Sequence, residues 1–150
     1  MPSAIVSFLA EDHARLDRWI EEASRIPGQV DLEAFDLFRK GLLRHIAMEE
    51  KVLLPAARRV LGEQIADFAR IRADHGRFTL MLVPTPTWPF VEELRARLAI
   101  HNEIEERPGG VYDQCAMLLA DQADEILRRM REYPEVPTRP YNDAAKPLRT

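Results

Sequence analysis

Cys115 is the only cysteine, so no internal disulfide can form, and a lone thiol fits a reducing compartment. No apolar run approaches the ~20 residues of a membrane-spanning helix. The apolar start, Ala4-Ile5-Val6 and Phe8-Leu9-Ala10, meets Glu11-Asp12 at once and lacks the cationic lead of a signal peptide. Basic excess is missing too. The net charge is −4, which argues against a nucleic-acid binder, and no Lys/Arg-rich run favours a membrane surface. There is no glycine-rich phosphate loop, and no Ser/His/Asp or Cys/His context for nucleophilic catalysis. With aromatics at 7% of 150 residues, a core must be built mainly from aliphatic side chains. The expectation is one cytoplasmic, soluble domain, a monomer or homodimer, with neither nucleic acid nor membrane as partner.

What is present is helical periodicity throughout, without sustained strand alternation. Segment A, about Ser3 to Ser24, carries Ile5, Leu9, His13, Leu16 and Ile20 on one stripe and stops at Pro27-Gly28. Segment B, about Asp31 to Leu61, lines up Phe35, Phe38, Leu42, His45, Glu49, Val52 and Ala56. Pro55 lies inside it, freeing the Lys51 carbonyl and predicting a bend just past Glu49. Segment C, about Glu63 to Leu82, aligns Ile65, Phe68, Ile71, His75, Phe78 and Leu82. After the linker Pro84 to Pro89, segment D carries Val91, Leu94, Leu98, His101 and Glu105 until Pro108-Gly109-Gly110 breaks it. Segment E, about Tyr112 to Glu132, has a weaker stripe through Cys115, Leu119, Ile126 and Met130. Tyr112 and Cys115 would approach the buried histidines if segment E folds back on the bundle, but read first as core or boundary packing. The prolines at 134, 137, 140 and 147 mark an irregular tail. The fold class is all-α: an antiparallel up-down four-helix bundle over residues 1–133, including an additional C-terminal helix, then a proline-rich tail over 134–150.

Each of the four histidines falls on the apolar stripe of a different helix. A lone histidine there is ordinarily a hydrogen-bonded core residue, but their heights are not independent. In an antiparallel hairpin, residues equidistant from the turn lie level. His13 and His45 are centred on Gln29, beside Pro27-Gly28; Glu49 and His75 on Gly62; His75 and His101 on Trp88, in the proline linker. At ~1.5 Å per residue the shared layer lies on the order of 20 Å from the loops. The chain also repeats itself. Leu42, His45, Glu49, Glu50 and Lys51 recur at the same offsets as Leu98, His101, Glu105, Glu106 and Arg107, and Asp12-His13-Ala14-Arg15 resembles Asp74-His75-Gly76-Arg77. Asp12 and Asp74 are rotated about 100° from their histidines, as surface residues or supports behind them.

Buried charges must be paired or bound to metal. His13, His45, Glu49, His75, His101 and Glu105 are therefore the candidate ligands of a buried metal site. Six N/O donors exceed a closed tetrahedral zinc and suit iron or manganese, in a pair bridged by the two carboxylates. Two six-coordinate ions need about twelve bonds; these donors and a bridging oxygen supply roughly ten, leaving about two positions for a small ligand.

The arrangement His13, His45-xxx-Glu49, His75, His101-xxx-Glu105, with a doubled glutamate after each of His45 and His101 and Leu53-Leu54-Pro55 after the first pair, resembles the hemerythrin-like family, the HHE cation-binding domain. The resemblance covers about residues 5 to 107. It implies a non-haem centre of two iron ions, with Glu49 and Glu105 bridging and the histidines terminal. N/O ligation alone leaves manganese or zinc open. It further implies a protein that binds or senses dioxygen, nitric oxide or peroxide, or handles iron. A redox enzyme reducing peroxide, oxygen or nitric oxide is the alternative, and a metal-free helical interaction module the second. Two departures bear on this. Oxygen carriers of the family have a fifth histidine one turn from the third-helix histidine, where this chain has Ile71 and Thr79. Helix D is also interrupted just after Glu105, so Glu106, five residues after His101, is the alternative second carboxylate.

Overall fold

The computed structural model describes residues 3–144; the last six residues of the expected tail, Pro147 among them, lie outside these. The described residues contain helices and no strand. Helix α1 spans Ala4–Ala23, and the Ser3 hydroxyl accepts the Val6 N–H at 3.1 Å, satisfying one donor of its first turn. Helix α2 spans Leu32–Met48, capped by Asp31, whose carboxylate accepts the Ala34 N–H. A π-helical turn, Glu49–Leu53, leads into α3, Leu54–Leu61. Then follow α4, Phe68–Met81, and α5, Trp88–Glu106, with Pro89 in its first turn. Helices α6, Val111–Leu118, and α7, Ala123–Arg131, complete the order.

The bend predicted at Pro55 takes the form of the π-helical turn. The Leu54 N–H bonds the Glu49 carbonyl, five residues back. The wider turn lets the proline ring follow without meeting the carbonyl of Lys51. Two expected segments are shorter than their periodicity predicts. Segment C begins at Phe68 rather than Glu63: Gly62 ends α3 at φ 85°, and Asp67 is left-handed at φ 70°, its carboxylate 3.1 Å from Arg107. Burial of Ile65 in the core, from within this loop, supplies the apolar position that mimics helical phase. Segment E is two helices, α6 and α7, joined through a 3-10 turn at Ala120–Gln122.

The core consists of two apolar clusters stacked along the bundle. One contains Leu9, Met48, Ile71 and Ile104; the other contains Leu16, Leu42, Phe78 and Leu98. Every bundle helix crosses from one to the other at its histidine: α1 between Leu9 and Leu16, α2 from Leu42 to Met48, α4 from Ile71 to Phe78, α5 from Leu98 to Ile104. The crossing sense alternates, which is the up-down-up-down topology. Helices α6 and α7 close the first cluster, contributing Tyr112, Cys115, Ile126 and Met130. The end of α7 is fastened by Arg44, which donates to the carbonyls of Met130, Arg131 and Tyr133 at 2.9 to 3.1 Å. Beyond it the chain returns across the second cluster. Tyr141 hydrogen-bonds Asp36, and the Asn142 N–H bonds the Val83 carbonyl.

Candidate metal centre

Where the helices change cluster, His13, His45, Glu49, His75, His101 and Glu105 are all buried, each at most 5% exposed. They form two overlapping groups: His13, His45, Glu49 and Glu105, and Glu49, His75, His101 and Glu105. Within each group the donor atoms lie within 4.8 Å of one another. Both carboxylates belong to both groups, so each lies between two sets of imidazoles.

The imidazoles share one orientation. Nε2 faces the centre in each, within 2.8 to 3.2 Å of Glu49 or Glu105. Nδ1 faces outward onto a carboxylate: His13 to Glu106 at 2.6 Å, His45 to Asp12 at 2.7 Å, His75 to Glu50 at 2.7 Å and His101 to Asp74 at 3.0 Å. A carboxylate accepting from Nδ1–H leaves Nε2 as the nitrogen turned inward, free to act as a metal donor when the ring is neutral. These supports follow the internal repeat. Asp12 and Asp74 each hold the histidine of the next helix within their own hairpin. Glu50 and Glu106, the outer members of the doubled glutamates, each hold a histidine of the other hairpin. Asp12 and Asp74 thus stand behind histidines, though behind His45 and His101 rather than their own neighbours. Glu105 and Glu106 differ in position. Glu105 is fully buried at the centre, and Glu106, half-exposed, braces His13 from outside.

Burial lowers the basicity of His45, but the charge of Glu49 and its bonds to Asp12 and Glu49 outweigh it and push the imidazole up to about 10. In His13, His75 and His101 burial is likewise outweighed, by hydrogen bonds to Glu105, Glu49 and Glu105 respectively, and all three are raised. Burial would raise the Glu49 carboxyl; the charge of His45 dominates and holds it well below the usual carboxylate range. Asp12 is likewise lowered against burial, by His45 and Arg15.

Two observations show that this layer suits cations. Glu49 Oε1, His75 Nε2 and Glu105 Oε2 are buried without a hydrogen-bond partner, although His75 Nε2 lies 3.1 Å from Glu49 Oε1 and 3.9 Å from Glu105 Oε2. Leaving such groups unpaired costs about 1–3 kcal/mol each, more if charged. Moreover, the carboxylates of Asp12, Glu49, Glu50, Asp74, Glu105 and Glu106 surround four imidazoles. Arg15 pairs with Asp12 and Arg70 with Asp74, so with the imidazoles neutral the layer keeps an excess of negative charge that bound cations would balance.

One group at the centre, read from the sequence first as packing, stands among the donors. Tyr112 is completely buried, and its hydroxyl lies 2.5 Å from Glu49 Oε2, 2.9 Å from His13 Nε2 and 3.0 Å from both His45 Nε2 and Glu105 Oε1. Burial, then the charges of Glu105 and Glu49, raise its phenol well above the ordinary value. The available signal was a tyrosine two residues beyond a Pro-Gly-Gly break that itself follows a glutamate pair. That break does not loosen the Glu105 half of the centre. Glu105 stays within α5, and the turn brings α6 back beneath it. Cys115 packs in the first cluster, its thiol pushed up to about 12 by burial, and belongs to neither donor group. Thr79, one of the two residues a turn from His75, donates its hydroxyl to the His75 carbonyl at 2.9 Å.

On the other face of the layer lies a narrow cavity of about 40 Å³, lined by the four histidines and by Phe38, Leu42 and Phe78 among others, with Arg95 and Asn102 also contributing. No helix among the described residues is long and apolar enough to cross a membrane. No curated protein and no solved structure matches the chain. The family model described as the hemerythrin HHE cation binding domain matches residues 4–108, which span all four bundle helices. Two carboxylates shared between two buried pairs of braced histidines thus stand in a chain that belongs to the hemerythrin HHE cation-binding domain family.

Proposed function

We propose that the chain holds two iron ions and binds or senses dioxygen or a related small ligand through them. The observation that carries this reading is the sharing of Glu49 and Glu105 between two donor groups. His13 and His45 would hold one ion, His75 and His101 the other, with both carboxylates between. The charge-neutral donors and hard oxygens suit iron, with manganese or zinc as competitors for the same site. Once bound, redox-active ions with open positions supply reversible ligation and electron exchange.

The residues around the site do the rest. Asp12, Glu50, Asp74 and Glu106 hold the imidazoles with Nε2 inward, which keeps the donors in place before metal arrives. Phe38, Leu42 and Phe78 give the cavity apolar walls. Its 40 Å³ accommodates a diatomic molecule or about three water-sized spheres.

Iron reconstitution with metal analysis and an optical spectrum tests the reading. Two irons per chain and a spectral change on exposure to oxygen are expected; well below one iron per refolded chain would overturn it. The alternative, an enzyme reducing peroxide, oxygen or nitric oxide, draws on the His75–His101 half, where Thr79 supplies no ligand. Sustained turnover under excess reductant would favour it over ligation.

A further inference from the structure

Tyr112 lies beyond residue 108, where the family match ends, and enters the centre from α6. The turn that delivers it is tightly built. Gly109 is left-handed at φ 73°, and a Cβ on Gly110 would stand 2.6 Å from the Ile104 carbonyl oxygen. Its ring is fully buried in the first cluster. Its hydroxyl reaches all four members of one donor group: His13, His45, Glu49 and Glu105.

That environment is ill-matched to a phenol. A phenol has one proton to donate. Around it stand two carboxylate oxygens and two Nε2 atoms, all within 3.0 Å. Neutral imidazoles, the form that metal binding requires, present Nε2 lone pairs inward with each Nδ1–H engaged by a carboxylate, so in that form four acceptors compete for a single hydrogen. A cation among these atoms would instead give every lone pair a partner, the phenol oxygen included.

We propose that Tyr112 is a ligand of the ion held by His13, His45, Glu49 and Glu105, bound through its phenolate oxygen. On binding, the O–H bond breaks, the proton passes to bulk buffer, and an oxygen lone pair forms the metal–oxygen bond; no electron is transferred. The His13–His45 group then has five donors. The His75–His101 group keeps four, because the Thr79 hydroxyl is engaged by the His75 carbonyl. The position for an exchangeable small ligand therefore falls on the His75–His101 ion.

This rests on the two-iron reading, and the test separates them. The full chain is loaded with ferric iron and its iron content, visible absorption and resonance Raman spectrum are measured. Two irons per chain with a phenolate-to-iron(III) charge-transfer band, its tyrosine ring modes shifting when ring-deuterated tyrosine is incorporated, is the expected result. Of the three tyrosines, Tyr141 is bound to Asp36, and the ligand is assigned to Tyr112 by loss of the band in Tyr112→Phe. Should Tyr112→Phe lose its iron, Tyr112→His restores a donor without a phenolate; retained iron without the band supports the assignment. Two irons and no such band in the unmodified chain would overturn the ligand alone, as would a band that survives in Tyr112→Phe. Failure to hold iron would overturn both readings.

Discussion

Glu106 lies 2.6 Å from Nδ1 of His13, while its neighbour Glu105 lies 3.0 Å from Nε2 of the same ring. Adjacent carboxylates thus grip one imidazole from its two nitrogens, one at the centre and one behind. Glu106→Ala should lower metal affinity about 10–100-fold without changing the number of ions bound, as expected for a residue that orients a ligand. Glu105→Ala should reduce the number itself. Chelator competition with metal analysis distinguishes the two; equal effects would show that the two carboxylates are not divided in this way.

Gly110 permits the turn into α6. Alanine there would set its Cβ 2.6 Å from the Ile104 oxygen and 2.8 Å from the Arg107 oxygen, both backbone. Neither can swing aside as a side chain would. Gly110→Ala should destabilise the fold by about 1–3 kcal/mol, read as a lower denaturation midpoint. An unchanged midpoint would mean that the turn relaxes freely.

The pH response should reverse sign with metal. In the metal-free chain, His45 is raised from 6.5 to about 10, and His13, His75 and His101 are raised as well. A raised histidine contributes stability fully below its unfolded value, and that contribution is lost as pH climbs through the folded value. Thermal stability should therefore decline between pH 6.5 and about 10. Asp12 and Glu49 are lowered from 3.8 and 4.5, so their contribution is lost as pH falls below those values. The metal-loaded chain requires neutral imidazoles and should instead lose its ions as pH falls. Melting curves of both forms across this range check the sign; a metal-free chain that gains stability toward pH 10 would contradict it.

Binding to the folded state alone stabilises by mass action. At a free iron concentration a hundredfold above Kd, the gain should be about 2.7 kcal/mol for each independent site. His45→Ala, which removes the donor braced by Asp12, should abolish much of that gain. Equal iron-dependent shifts in both proteins would instead support a bundle whose function does not involve metal.

The all-helical bundle was legible because apolar periodicity is a local property. Ile5, Leu9 and Leu16 share a face whatever the remainder of the chain does, and glycine and proline mark where most helices end. Convergence of His13, His45, His75 and His101 on one layer was legible too, since each turn lies midway between the residues it brings level. Helix ends were less so. Ile65 continues the phase of α4 from a loop, because burial rewards an apolar side chain without regard to the backbone that carries it.

What the sequence by itself determined is six candidate donors and the level at which they meet. Only the tertiary structure decided their division of labour. Whether Glu105 or Glu106 faces inward depends on how α5 is rotated against α1, and successive residues differ by about 100° around the axis. The partnering of Glu50 with His75 and of Glu106 with His13 depends likewise on the rotation of one hairpin against the other. Tyr112 is the clearest case. The interruption at Pro108-Gly109-Gly110 marks an end in sequence terms, but packing of α6 against α1, α3 and α5 folds the chain back and sets its hydroxyl among four donors. Local chemistry can specify that a helix stops; where the next residues go is settled by the surface they can bury.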